Sequence, residues 1–264
     1  MKVLITGGSE GIGFALAAEA LKAGHEVEIW ARRQTKLREA LTSLNAMRSA
    51  GAVPTSVSVD VSDANSVREA ADRYIAANGA PDRLFHCAGY AVAAFVDQAR
   101  DEDVNGMLKV NIAGPIHVAR AFASAMAKKG AGAIVLTASD LGYIGLFGWS
   151  VYAATKHAAV GFAVSLRNEL KPFGIRVQAL CPPATQTPGF DRENQTKPAS
   201  VRKAEAAGGV MSAEAVAAYA WRRCGKGGAF IIPSRTSRTL FALSRLSTDL
   251  AQSFVRAPGP GAPR

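Results

Sequence analysis

Seven short apolar runs recur along the chain: Lys2–Thr6, Glu26–Trp30, Val53–Val59, Arg83–Cys87, Ala133–Thr137, Ile175–Cys181 and Ala229–Ile232. Their length and β-branched content predict strands. Ala133-Ile-Val-Leu-Thr137 is apolar without alternation, the pattern of a parallel strand covered on both faces, whereas Val53–Val59 alternates. Segments of helical spacing lie between the runs: Phe14–Ala23, ending at Gly24; Gln34–Ala50, with Leu37, Leu41 and Leu44 inward; and a helix from Ala64. Further on come Asp101–Met126, interrupted at Gly114-Pro115, then Val151–Leu170 and Met211–Arg223. Strand and helix alternate throughout. The predicted fold class is therefore α/β: a single doubly wound parallel sheet of the Rossmann type with helices on both faces.

Two stretches break the alternation. Thr185–Gly208 is polar and contains Pro and Gly, so it reads as an irregular lid. Ser237–Val255 has neither Pro nor Gly and reads as one amphipathic helix. Leu240, Leu243, Leu246, Leu250 and Phe254 gather on one side of it; Arg238, Arg245 and Arg256 gather on the other, with Asp249 among them. Such a helix either covers the sheet or a subunit contact, or lies in the surface of an anionic membrane. The expected organisation is a dinucleotide-binding catalytic domain over 1–232, this helix over 233–256, and a Pro- and Gly-rich disordered tail over 257–264.

Composition narrows the partners. The 264 residues suit one large domain, and 48% hydrophobic with 20% charged residues suits a sizeable core. A net charge of +10 favours an anionic partner, but no basic–aromatic cluster points to nucleic acid. Cys87, Cys181 and Cys224 lack metal-ligand spacing, so no metal site is expected and the thiols read as reduced, in a cytosol. The chain opens directly on a strand, without a leader pattern, and no uncharged apolar run nears the ~20 residues of a spanning helix. The expected location is cytoplasmic, with peripheral contact at a membrane surface.

Candidate chemistry sits where strands end. Thr6-Gly-Gly-Ser-Glu-Gly-Ile-Gly13 follows the first strand and opens a helix. Small residues there let a backbone approach a pyrophosphate, and the helix N-terminus favours its charge, so Gly7, Ser9, Gly11, Ile12 and Gly13 are candidate dinucleotide contacts. The second strand ends in Ala31-Arg32-Arg33, without the acid that would read a ribose 2′-hydroxyl; Arg32 and Arg33 favour a 2′-phosphate, hence NADPH. Asp60 either reaches an adenine amino group, with Val61 beside it, or caps the next helix. Ala88-Gly89 would let a ribose or nicotinamide pack on the backbone. Ser139 stands just beyond the fifth strand, while Tyr152 and Lys156 share a helix face. A cation beside a phenol favours phenolate, so Tyr152 could exchange a proton near neutrality.

Together, Thr6-Gly-x-x-x-Gly-x-Gly13, Asp60, Ala88-Gly89, Asn111, Ser139, Tyr152 and Lys156 stand in the order of the short-chain dehydrogenase/reductases, which residues 1 to 232 resemble. The resemblance implies reduction of a ketone by NADPH/NADP+ chemistry. Ser139 and Tyr152 would hold the ketone oxygen, Tyr152 would donate the proton, and Lys156 would lower the phenol pKa and bind the nicotinamide ribose. Asn111 would hold a water linking Lys156 to solvent. It also implies cofactor contacts at Pro182, Thr185 and Thr187, and a dimer or tetramer. Pro182-Pro-Ala-Thr-Gln-Thr-Pro-Gly-Phe190 and Glu193-Asn-Gln-Thr-Lys-Pro198 are similar to the 3-ketodihydrosphingosine reductase subgroup, as are Cys87-Ala-Gly89 and Gly145-Leu-Phe-Gly148. Ala184 and Gln186 depart from it, standing where that subgroup tends to carry acids. His86 and Cys87 replace the wider family's Asn-Asn pair. No charged residue occurs from Leu141 to Thr155, and Leu146, Phe147 and Trp149 there could wall a long-chain keto lipid or merely pack the core. Three readings follow: a sphingoid-base ketoreductase, a reductase of another apolar ketone such as a 3-oxoacyl or steroid substrate, or a non-catalytic NADP(H)-sensing or scaffold protein.

Overall fold

A computed structural model describes residues 1–49 and 53–255. The chain runs β1 (Lys2–Thr6), α1 (Gly11–Lys22), β2 (Glu26–Ala31), α2 (Gln34–Met47), β3 (Thr55–Ser58), α3 (Ala64–Asn78) and β4 (Arg83–His86). It continues through α4 (Asp101–Leu108), α5 (Gly114–Lys129), β5 (Gly132–Thr137), α6 (Ser150–Leu170) and β6 (Ile175–Leu180). The last part holds β7 (Thr185–Gln186), α7 (Pro188–Thr196), α8 (Ala199–Ala207), β8 (Met211–Ser212), α9 (Ala213–Arg223), β9 (Phe230–Ile231), α10 (Arg235–Leu246) and α11 (Thr248–Gln252).

Seven of these strands form one sheet in the order β3-β2-β1-β4-β5-β6-β9, and every pair is parallel. Alternation along each strand feeds two cores. Val3 and Ile5 of β1 pack with α1, α2 and α9, while Leu4 packs with α3, α5 and α6. Both faces are covered, which is why these strands read as continuous apolar runs. Chain order reverses between β1 and β4, so a crevice opens at their carboxyl ends. A third, smaller core lies beyond those ends and includes Leu141, Ile144, Trp149, Val201 and Ala251.

Three expectations are corrected. Residues 185–208 are not irregular: two short helices fold there. Thr187 caps α7, its hydroxyl accepting from the Phe190 N–H at 3.0 Å, with Pro188 in the first turn, where its missing N–H costs nothing. The break in the 101–126 helix is a π turn over Lys109–Ala113, just before Gly114-Pro115. The C-terminal segment is two helices rather than one. Ser247 is extended, and its hydroxyl accepts from the Leu250 N–H at 3.3 Å, starting a new helix instead of continuing the old one. Arg256 and the expected tail at 257–264 lie outside the described residues.

Candidate active site

A cleft of about 1550 Å³ runs across the carboxyl ends of the strands. All the candidate cofactor and substrate residues named above border it; Asn111 stands just behind its wall. At one end, Gly7 and Gly11 adopt positive φ (68° and 60°). A Cβ on Gly7 would lie 2.6 Å from the Ala88 nitrogen, and one on Gly13 would lie 2.3 Å from the Gly7 oxygen. Side chains are excluded, and α1 begins at this turn, so the cradle fits a dinucleotide pyrophosphate.

The charged groups at this end divide their work. Arg33 donates to Glu10 at 3.0 Å, and Arg192 of α7 pairs with the same carboxylate. Arg32 is freer: its nearest acid, Asp60, is 4.0 Å away, and its side chain is 72% exposed at the cleft rim. Asp60 is not the helix cap. Asp63 caps α3 by accepting from the Asn65 N–H, while Asp60 accepts from the Ser62 N–H and hydroxyl and faces the cleft. Those two hydrogen bonds and Arg32 outweigh burial and hold the Asp60 pKa below its ordinary value.

Ser139, Tyr152 and Lys156 meet at the centre. Ser139 is buried beyond β5; its hydroxyl donates to Asp140 Oδ1 at 3.1 Å and accepts from the Leu141 N–H at 3.2 Å. The Lys156 Nζ donates to the Thr137 carbonyl at 3.0 Å, tying α6 to the end of β5, and lies 5.4 Å from the Tyr152 ring centre. Burial lowers the Lys156 pKa from 10.5 to about 8. Tyr152 departs from expectation. Enclosure raises its pKa well above the usual 10, and the charges of Glu193, Asp140 and Glu205 add to this against a hydrogen bond with Ser139. The free protein holds this phenol protonated, a donor rather than a phenolate.

Asn111 is buried because the π turn rotates it inward. Its Nδ2 donates to the Tyr90 carbonyl (2.8 Å) and to Thr155 Oγ1 (3.2 Å), and its Oδ1 accepts from the Tyr90 N–H (3.1 Å). It thus pins the segment after Gly89 to α6. A Cβ on Gly89 would lie 3.0 Å from Asn111 Oδ1 and 3.7 Å from Lys156 Nζ, which brings the three together.

The far end was not foreseen. Asp140, Glu193, Glu205 and Ser200 border the cleft, and the Lys197 side chain is fully buried beside it. The signal available was the i, i+4 spacing of Glu193 and Lys197 within a segment read as irregular. Apolar walls come from Leu146, Phe147 and Trp149 and, unexpectedly, from Leu240 and Leu243 of α10 with Val255. Tyr143 holds α10 in place: its hydroxyl donates to the Ser237 carbonyl at 3.0 Å, and its ring meets Phe241 edge-on.

The short chain dehydrogenase family pattern matches residues 1–198. A 3-ketodihydrosphingosine reductase of Bos taurus is 33% identical over 220 residues, 81% of this chain and 65% of that protein. The 3-dehydrosphinganine reductase TSC10B of Arabidopsis thaliana is 36% identical over 218 residues, 81% of this chain and 64% of that protein. The chain therefore spans 65% and 64% of the length of these relatives. Among solved structures, levodione reductase superposes with a TM-score of 0.81 at 23% identity, covering 90% of this chain and 97% of that one. ElxO with NADP bound gives 0.78 at 24% identity, covering 90% and 98%. Those two likenesses speak for the fold. The family match spans three quarters of the sequence, and within the same fold a tyrosine and a lysine share one helix facing the cleft: the chain belongs to the short-chain dehydrogenase family.

Proposed function

We propose that the chain reduces the 3-keto group of a long-chain sphingoid base, 3-ketodihydrosphingosine to dihydrosphingosine, with NADPH. One observation carries this reading. A single cleft joins the glycine cradle and Arg32 to the Ser139 and Tyr152 hydroxyls, then continues between Leu146, Phe147, Leu240 and Leu243. Cofactor, reacting carbonyl and alkyl chain thus have successive places along it. The names of the bovine and Arabidopsis relatives agree with that substrate.

Bound in the cradle, NADPH supplies a hydride to the ketone carbon. The Ser139 and Tyr152 hydroxyls hold the ketone oxygen. As negative charge grows there, Tyr152 gives its proton to the oxygen, and the product is the alcohol. The phenol's raised pKa keeps that proton available until charge develops, and the Lys156 ammonium then faces the phenolate that forms. Donors placed at a developing oxyanion contribute roughly 3–4 kcal/mol each. Both N–H groups of the Asn111 amide are already used and its Oδ1 accepts one bond, so a water relay toward Lys156 would rest on the acceptor sites of Asn111 that remain.

The amphipathic C-terminal segment completes the reading. Its apolar side is divided: Leu240, Leu243 and Phe254 border the cleft, while Leu246 (80% exposed) and Leu250 face outward. Among the described residues no helix is long and apolar enough to cross a membrane. The enzyme works at the cytoplasmic face of a membrane, with these side chains in the lipid surface and the cleft mouth beside them. It assembles as a dimer or tetramer, as the family likeness implies.

The test is NADPH oxidation with 3-ketodihydrosphingosine and, separately, a 3-oxoacyl thioester. Turnover of the first and not the second is expected; the reverse assigns a different apolar ketone. Tyr152→Phe should lower kcat at least 100-fold while NADPH still binds, the usual size of a lost general acid. Near-normal turnover would refute this mechanism.

A further inference from the structure

Three carboxylates, Asp140, Glu193 and Glu205, border the polar end of the cleft, with the fully enclosed Lys197 side chain beside them and the exposed Arg192 and Lys203 at the rim. The Lys197 Nζ donates to Glu205, and the faces of Phe190 (4.6 Å) and Trp149 (4.9 Å) flank it. Lys197 and Glu205 form a neutral pair. Glu193 stands 3.8 Å from the same Nζ, beyond hydrogen-bond reach, and its carboxylate accepts no hydrogen bond among the described residues. Asp140, under Ser139, is a third acid at this wall. A partly buried carboxylate without a hydrogen-bonded cation is costly. Burial pushes the Glu193 pKa up to about 7, with Lys197, Arg192 and Lys156 opposing and Glu205 adding.

Two unused polar groups lie on the same wall. Trp149 is 2% exposed and borders the cleft beside the Tyr152 ring, 5.3 Å between centres, and its Nε1–H has no acceptor among the described residues. The buried hydroxyl of Ser200, also on the cleft, likewise lacks a partner. Buried donors are rarely left unpaired in a finished structure. A ligand carrying a cation and a hydroxyl would satisfy the whole set.

We propose that Glu193 binds the ammonium of a 2-amino-3-ketone beside the reacting carbonyl, with Trp149 and Ser200 taking the neighbouring hydroxyl. The cleft thereby selects an amino ketone over a plain long-chain ketone. This rests on the ketone-reductase reading above and specifies its substrate. It also assigns the amine-reading role to α7, although Ala184 and Gln186 stand where the subgroup tends to have acids.

The test compares 3-ketodihydrosphingosine with 1-hydroxyoctadecan-3-one, the same chain without the amine. Wild type should prefer the amino ketone by about 10- to 100-fold in kcat/KM, the range of a charge-assisted bond. In Glu193→Gln that ratio should fall to near one, mainly through KM. Glu205→Gln, which frees Lys197 to pair with Glu193 3.8 Å away, should lower it as well. A ratio kept in Glu193→Gln overturns the proposal. Should that variant not fold, N-acetylated 3-ketodihydrosphingosine with the wild type asks the same question, and turnover equal to that of the free amine overturns it too. Binding of dihydrosphingosine to the NADP+-loaded enzyme, read by tryptophan fluorescence, separates the two ideas. Binding that depends on Glu193, with neither ketone reduced, keeps the amine site and discards the reductase reading. Equal reduction of both ketones does the opposite, and neither binding nor reduction discards both.

Discussion

Replacing Lys156 with methionine should trade activity for stability, and the trade should depend on pH. Lys156 is enclosed between β5 and α6, and its pKa falls from 10.5 to about 8 on folding. At about 1.4 kcal/mol per pH unit, its protonated form is disfavoured in the folded chain by about 3 kcal/mol. The folded pKa is depressed, so between about 8 and 10.5 the unfolded chain binds more protons than the folded one. The cost is therefore fully present below pH 8 and fades as pH rises through 10.5. Methionine has no such titration. Losing the hydrogen bond to the Thr137 carbonyl adds an offset that does not vary with pH. Urea unfolding of both proteins should show the stability difference, variant minus wild type, shrinking by about 2 kcal/mol from pH 7 to pH 9.5. Lys156→Met should also lose ketone reduction. Parallel stability curves across that range would refute the reasoning, because they would mean that the ammonium is not desolvated.

Arg32→Ala should raise KM for NADPH about ten-fold and leave NADH nearly unchanged; exposure puts the bond at the weak end of the charge-assisted range, and equal losses with both cofactors would indicate a structural role. Leu246→Ser and Leu250→Ser combined should abolish binding to anionic liposomes while sparing reduction of a short soluble ketone, since both side chains are exposed and neither borders the cleft. Unchanged sedimentation with liposomes would remove the membrane contact from the functional reading.

What could be read from the chain beforehand follows physical lines. The sheet was legible because strands such as β5 and β6 are covered on both faces and so are apolar almost throughout. The cofactor end was legible because a close backbone approach restricts Gly7 and Gly13 to glycine. Helix α7 was hidden because its start is set by the Thr187 cap, and Thr187-Pro188 resembles a turn as much as a helix start. The burial of Asn111 was not legible because helical spacing assumes 3.6 residues per turn, and the chain turns here as a π turn. The protonated state of Tyr152 and the raised Glu193 pKa beside Lys197 depend on burial and on residues far apart in sequence, which no local pattern records.

The small β7–β8 sheet has a consequence for how such a protein could be altered. Thr185 pairs with Met211 and Gln186 with Ser212, so the chain leaves the central fold and returns to it at one clasp. Everything between, α7 and α8 included, enters and leaves at those two rungs, and side chains such as Arg192 on Glu10 and Val201 in the third core hold it against the rest. A piece whose backbone joins at one clasp behaves as a cassette: with those side-chain contacts kept, it can be lengthened, shortened or exchanged while the seven-stranded sheet keeps its register. Because α7 and α8 border the cleft at its polar end, grafting a different cassette on the same clasp would change which head group is admitted, leaving the glycine cradle and the α6 tyrosine in place.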